Sequence, residues 1–145
     1  MDWFNWIGLI IIAMIMLPNV VYSITKKEEF SNTTCKTLLV FEQIGRFGCI
    51  IFMTFNLPYT YFNFWFNHAL LIYIIINAVL TLTYVTLFFA TWNQKSWFKV
   101  ISLSLLPSLI FLFSGVALIN IPLIIFAVIF TTCHVMVSIK NFKNN

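Results

Sequence analysis

A chain of 145 residues that is 61% hydrophobic, 8% charged and of mean hydropathy +0.98 cannot be an ordinary soluble domain, because such domains carry about 25% charged residues. The excess of seven lysines and one arginine over four acids gives +4. In so apolar a chain that excess orients helices in a bilayer and is not a nucleic-acid footprint. Cys35, Cys49 and Cys133 form no CxxC and no even pairing, so free thiols are expected.

The first apolar run, Trp3 to Thr25, has Asp2 where a signal peptide has basic residues and lacks a small-x-small cleavage site. It is expected to stay as a permanent helix, bent at Pro18. The polar loop Lys26 to Cys35 follows, and its Asn32-Thr33-Thr34 sequon is expected to face inward and stay unused. The second span covers 37–58 and carries Glu42 and Arg46, the only acid and the only arginine in any apolar stretch. Four residues apart, they share a helix face and can pair. On a helical wheel Glu42, Gly45, Arg46, Cys49, Met53 and Asn56 fall within an arc of about 100°, which marks the inward face. Tyr59 to Asn67 is aromatic and uncharged, as suits a turn in the headgroup region.

The third span is expected over 68–92, with Tyr73, Asn77, Thr81 and Tyr84 on one face. The forty uncharged residues Val100 to Ile139 are too many for one crossing of about 30 Å. Gly115 and Asn120-Ile121-Pro122 divide them into spans over 99–118 and 121–139. Ser104, Ser108, Phe111 and Gly115 share a face of the fourth; Ala127, Thr131, His134 and Ser138 share one of the fifth. Five spans place every lysine on one side and leave Asp2, the aromatic turn and the Asn120 turn on the other. By the positive-inside rule the N-terminus lies outside and the C-terminus in the cytoplasm.

Glu42, Arg46, Ser104, His134 and Asn19 fall in the inner half, and Asn77 toward the outer half. A charge in a bilayer costs about 3 kcal/mol even on lenient scales, so it faces protein or water and finds a partner. A ligand-binding cluster of Glu42 and Arg46, supported by Asn19, Asn77, Ser104 and His134, is one expectation; a buried pair that only docks the second helix is the bland one. His68 and His134 lie most of a bilayer apart, and Cys133 points about 100° away from His134, so neither a metal site nor a cofactor is expected.

The segments Phe41-Glu42-Gln43-Ile44-Gly45-Arg46 and Phe130-Thr131-Thr132-Cys133-His134 resemble the EExxxR and FxxxH motifs of the glutamate-dependent intramembrane proteases that process CAAX proteins and bacteriocins. That resemblance implies a water-activating Glu42 and an assisting His134. The chain departs from it: Phe41 replaces the first glutamate, one candidate histidine is present, and the length is short for that fold. As a whole, on EQIGRFG (42–48), PYTYFNFWF (58–66) and PSLIFLFSG (107–115), the chain is similar to small multi-pass membrane proteins of AT-rich Gram-positive bacteria, a resemblance that implies no activity.

The reading is therefore an all-α bundle of five transmembrane helices in the cytoplasmic membrane, without enzymatic activity, binding or passing a small ligand through a cytoplasm-facing polar pocket. Its alternative is an accessory or immunity-type subunit docked on a larger membrane complex. Expected partners are the bilayer, a small ligand, and a second copy met through the serine/glycine face of the fourth span or another membrane protein.

Overall fold

The computed structural model describes residues 3–25, 36–57 and 68–144. The polar loop with its Asn32 sequon and the aromatic turn over 59–67 lie outside the described residues. Among the described residues five helices follow in order: α1 (Trp6–Thr25), α2 (Lys36–Thr54), α3 (Ala69–Ala90), α4 (Trp97–Ala117) and α5 (Ile121–Asn144). Helices α2 to α5 are long and apolar enough to cross a membrane, whereas the apolar stretch of α1, Trp6–Val21, is shorter.

Local chemistry sets the boundaries. The Asn5 carboxamide accepts from the Gly8 amide at 3.1 Å, the Ser96 hydroxyl from the Lys99 amide at 3.3 Å, and the Asn120 carboxamide from the Leu123 amide at 3.1 Å. Each satisfies a first-turn donor that has no intrahelical partner. The Ser96 cap starts α4 two residues before the expected position. At the end of α4 the Asn120 amide reaches the Gly115 carbonyl at 2.9 Å and the Ile119 amide reaches Val116 at 3.1 Å, which is a Schellman closure. The break between the last two spans is thus made at Leu118–Asn120, and Gly115 is helical. Trp3–Asn5 and the residues after Thr54 leave helical geometry because they pair with each other: Asn5 N–H donates to Thr54 at 2.7 Å and Asn56 N–H to Trp3 at 2.9 Å. Helix α5 continues past 139 because Phe142 packs on Trp97, ring centroids 4.4 Å apart.

The helices form a closed ring in the order α1, α2, α5, α4, α3 and back to α1, with the α2–α5 and α4–α5 seams the most extensive. Small residues let these seams close. A methyl group on Gly45 would sit 2.7 Å from the Phe130 nitrogen, and one on Gly115 would sit 2.7 Å from the Ile124 side chain. The interior combines an apolar core, with Ile12, Ile15, Met53, Ile110 and Leu123, and buried polar side chains, while the outside is apolar. Asn77, Thr81, Ser104, Ser108, Ser114 and Glu42 are buried, while Ile10, Phe47, Ile75, Leu82, Leu105 and Val128 are exposed on the outer faces. Water would penalise an apolar surface this continuous; hydrocarbon accepts it. The described lysines, Lys36, Lys95, Lys99, Lys140 and Lys143, gather at one end of the bundle, where α2 and α4 begin and α3 and α5 finish.

The serine/glycine face of α4, expected as a surface for a second copy, is buried within the protomer. Ser108 and Ser114 have no exposure, and Gly115 abuts α5. Neighbouring helices of the same chain cover that face: the Ser114 hydroxyl donates to Asn77 of α3 at 3.2 Å, and the Ser108 hydroxyl donates to the Ser104 carbonyl of its own helix at 2.9 Å.

Candidate functional site

Gly45 positions the site. Its missing side chain draws the N-terminal half of α2 onto α5 at Phe130, so that one turn further along each antiparallel helix Glu42 meets His134. The Arg46 guanidinium donates to Glu42 Oε1 at 2.6 Å, and His134 Nδ1 lies 2.9 Å from the same oxygen. Glu42 is 4% exposed. Phe130 completes the group: the His134 ring stacks on it with centroids 4.8 Å apart, and the Arg46 guanidinium carbon lies 5.8 Å from its centroid. One carboxylate thus meets one permanent cation and one titratable ring. Charge-assisted bonds of this length offset the cost of burying the carboxylate, and its hold on Nδ1 fixes the orientation of the imidazole.

His134 also lines a cavity of about 320 Å³ at the lysine-bearing end, walled by α3, α4, α5 and the end of α1. Asn19, Ser104 and Ser138 contribute polar atoms to it, and Lys95 and Lys99 stand among the lining residues. Asn19 is held by Tyr84, whose hydroxyl donates to Asn19 Oδ1 at 3.1 Å. The Lys99 amine donates to the Trp92 carbonyl at 3.1 Å. Phe88, Leu103 and Phe142 supply apolar wall. A wider apolar groove of about 600 Å³ runs along the outer side of α2 between Leu39 and Phe52, against Phe126. It holds no member of the charged cluster.

Of the six expected site residues, Asn19, Ser104 and His134 line the cavity, and Glu42 and Arg46 stand behind His134 without lining it. Asn77 is elsewhere. Its amide donates to the Tyr73 carbonyl at 2.9 Å and its carbonyl accepts from the Ser114 hydroxyl at 3.2 Å, which ties α3 to α4 deep in the bundle. Its polarity serves packing, because an unpaired carboxamide there would be costly. Tyr84, Ser138, Lys95, Lys99 and Phe142 line the cavity beyond the expected residues. Tyr84 and Ser138 lie on the polar faces visible in the sequence; the lysines carry there only an orientation signal.

Among the described residues, no three histidine, cysteine or acidic side chains come together as a metal site. His68 stands at the end of the bundle opposite His134, and Cys49 and Cys133 are free thiols. No protein-family model, no curated protein and no solved structure matches this chain.

Proposed function

We propose that this protein is a five-span protein of the cytoplasmic membrane, N-terminus outside, that binds a small ligand in the cavity at its cytoplasmic end. One observation carries the reading: a roughly 320 Å³ cavity opens among Asn19, Ser104 and His134, where a bundle serving only as a docking subunit needs none. Cavities of about 300 to 1,000 Å³ with a few convergent polar groups are the usual form of small-molecule sites. The gathering of lysines at this end supports the inward orientation. The Glu42–Arg46 pair acts as the fixed support that presents the His134 ring to the cavity wall.

The reading is non-enzymatic. The protease resemblance requires Glu42 and His134 to meet, and they do at 2.9 Å. However, Glu42 is not a lining residue, and the oxygen that faces His134 already accepts from Arg46. A glutamate acting as base toward water has to reach the space that holds the substrate, and Glu42 does not line the cavity.

A thermal-stability screen of small molecules in neutral detergent tests the proposal. Compounds that raise the melting temperature of the parent should lose that effect in Ser138→Leu, whose side chain fills the cavity. Equal stabilisation of both proteins by every active compound would place binding elsewhere and remove the reading. The outer groove on α2 favours the second reading, an accessory subunit, because a partner helix would seat there. Crosslinking from Phe47 to one partner protein in intact membranes would support that alternative.

A further inference from the structure

We infer that this protein forms a two-fold dimer in the membrane: a second copy seats in the groove on the outer side of α2, and the Gln43 side chains of the two copies hydrogen-bond to each other. The inference is independent of the ligand-binding reading. Helix α2 contributes no residue to the cavity at the lysine-bearing end, so a partner on α2 leaves that cavity open.

An unanswered carboxamide is the first argument. Gln43 is exposed and lines the groove, and its side chain makes no hydrogen bond with any described residue. It stands seven residues beyond Lys36, where α2 begins, a rise of about 10 Å. That depth is hydrocarbon in a bilayer, where an unbonded amide is costly. Exposed hydroxyls on other helices are satisfied locally: Thr83 and Thr132 donate to the carbonyls of Val79 and Val128. Lipid tails can fill the groove but offer the Gln43 amide nothing.

A second copy supplies what is missing. A carboxamide carries both donors and an acceptor, so two of them face to face pair through both ends. Copies of one chain enter the bilayer in the same orientation, and a two-fold axis along the membrane normal sets each residue at the depth of its counterpart. Gln43 therefore meets Gln43 without any adjustment of register. A different membrane protein would have to carry its own polar side chain at this same depth.

Shape is the third argument. Val40, Ile44, Phe47 and Ile51 line the groove at i, i+4, i+7 and i+11 and are 45% to 59% exposed. That spacing is the one by which two helices pack along a seam. Gly48 also lines the groove, and the Phe126 ring occupies the space that a side chain at Gly48 would need. Phe47, the most exposed of the four, differs from Gly48 in depth by about 1.5 Å. On the two-fold axis the Phe47 ring of one copy thus faces the bare Gly48 surface of the other. From Leu39 to Phe52 the groove extends over about 20 Å of the 30 Å hydrocarbon core, room enough for a helix.

Energy transfer and crosslinking on the full chain in phosphatidylcholine–phosphatidylglycerol vesicles test the dimer. In a cysteine-free background, donor and acceptor dyes at Lys143→Cys should show transfer that falls along a monomer–dimer curve as lipid is added. Gln43→Leu should raise the dissociation constant about three- to thirtyfold, and Gln43→Asn should recover part of the loss. Circular dichroism of Gln43→Leu should match the parent, because the side chain is exposed. On oxidation, Val40→Cys or Phe47→Cys should give a species of twice the 16.9 kDa chain. Leu82→Cys and Val128→Cys, on the exposed faces of α3 and α5, should not. A monomer at every lipid ratio would overturn the inference, as would an assembly larger than a dimer or crosslinking that is strongest from Leu82→Cys or Val128→Cys. A Gln43→Leu variant that dimerises as tightly as the parent would overturn the role of the carboxamide. Crosslinking of Phe47→Cys in intact membranes to a different protein, and never to its own copy, would give the groove to that protein instead.

Discussion

Three side chains on two helices decide the character of the interior. Glu42 accepts from Arg46 and contacts His134 through one oxygen, so the two partners are energetically coupled and their deletions are not additive. Removing the carboxylate strands a guanidinium that is only about one-quarter exposed, 26% at its side chain. Glu42→Gln should therefore cost about 3 kcal/mol in detergent unfolding experiments. Arg46→Gln should cost less, because His134 remains as a partner of the carboxylate. The Glu42→Gln, Arg46→Gln double variant should recover most of the loss. A double variant less stable than either single one would show that the pair is not an internal clamp. The pairing of Glu42 and Arg46 was legible from their spacing, since residues four apart on a helix stack. The third partner was legible only as a depth coincidence. Ninety-two positions separate His134 from Glu42, and no local pattern encodes that contact.

At the scale of the helix and its turns, two positions carry unusual cost or unusual closeness. Ile119 holds φ = 49° in the Schellman turn between α4 and α5. A β-branched residue in the left-handed region is strained by about 1 to 2 kcal/mol. Ile119→Gly should relieve it and raise the thermal midpoint, since glycine adopts this conformation without penalty and the loss of backbone freedom offsets only part of the gain. A lowered midpoint would mean that the Ile119 side chain contributes more by packing than its backbone loses. Gly45 is the reverse case, a position where the smallest change should harm. An alanine there would push against the Phe130 backbone at 2.7 Å, and helix backbones cannot yield as a flexible side chain does. Gly45→Ala should cost about 1 to 3 kcal/mol and part Glu42 from His134, read as lowered thermal stability and weakened ligand binding together. Loss of stability with binding intact would show that the α2–α5 seam does not set the cavity. The sequence marks Gly45 as small and inward-facing; it does not say that Phe130 is what Gly45 touches.

For the molecule as a whole, the five-helix count and the lysine-bearing end make a topological statement that chemistry can check. In a cysteine-free background, His68→Cys should react with a membrane-impermeant maleimide on intact cells, because His68 is exposed at the end opposite the lysines. Lys143→Cys should react only after the membrane is opened. Labelling of both from outside would require an even number of crossings between them, with two of α3, α4 and α5 crossing as one. Helix α1, whose apolar stretch is shorter, lies before both labelled positions. Its N-terminal residues are pinned to the end of α2 by the Phe4–Phe55 bridge and the stacking of Trp3 on Phe55 at 5.8 Å, and its far end meets Tyr84 through Asn19. Both ends of α1 are therefore tied into the ring.

Composition and periodicity alone determined that the chain is all-helical with helices apolar enough to cross a membrane, where its helices fall to within a few residues, and which stripe of the last four turns inward. These follow from short-range physics. A bilayer requires every backbone amide to be bonded within its own segment, and a helix repeats every 3.6 residues whatever it packs against. Tertiary structure alone decided which inward stripes meet. The cyclic order α1–α2–α5–α4–α3 is set by how small residues and aromatic rings interlock across seams. That order turned the fourth helix's serine face into core, moved Asn77 into a packing role, and set two lysines beside His134 at one cavity. Each of these outcomes depends on contacts between residues distant in the chain, and helical periodicity carries no information about which distant residue a face will find.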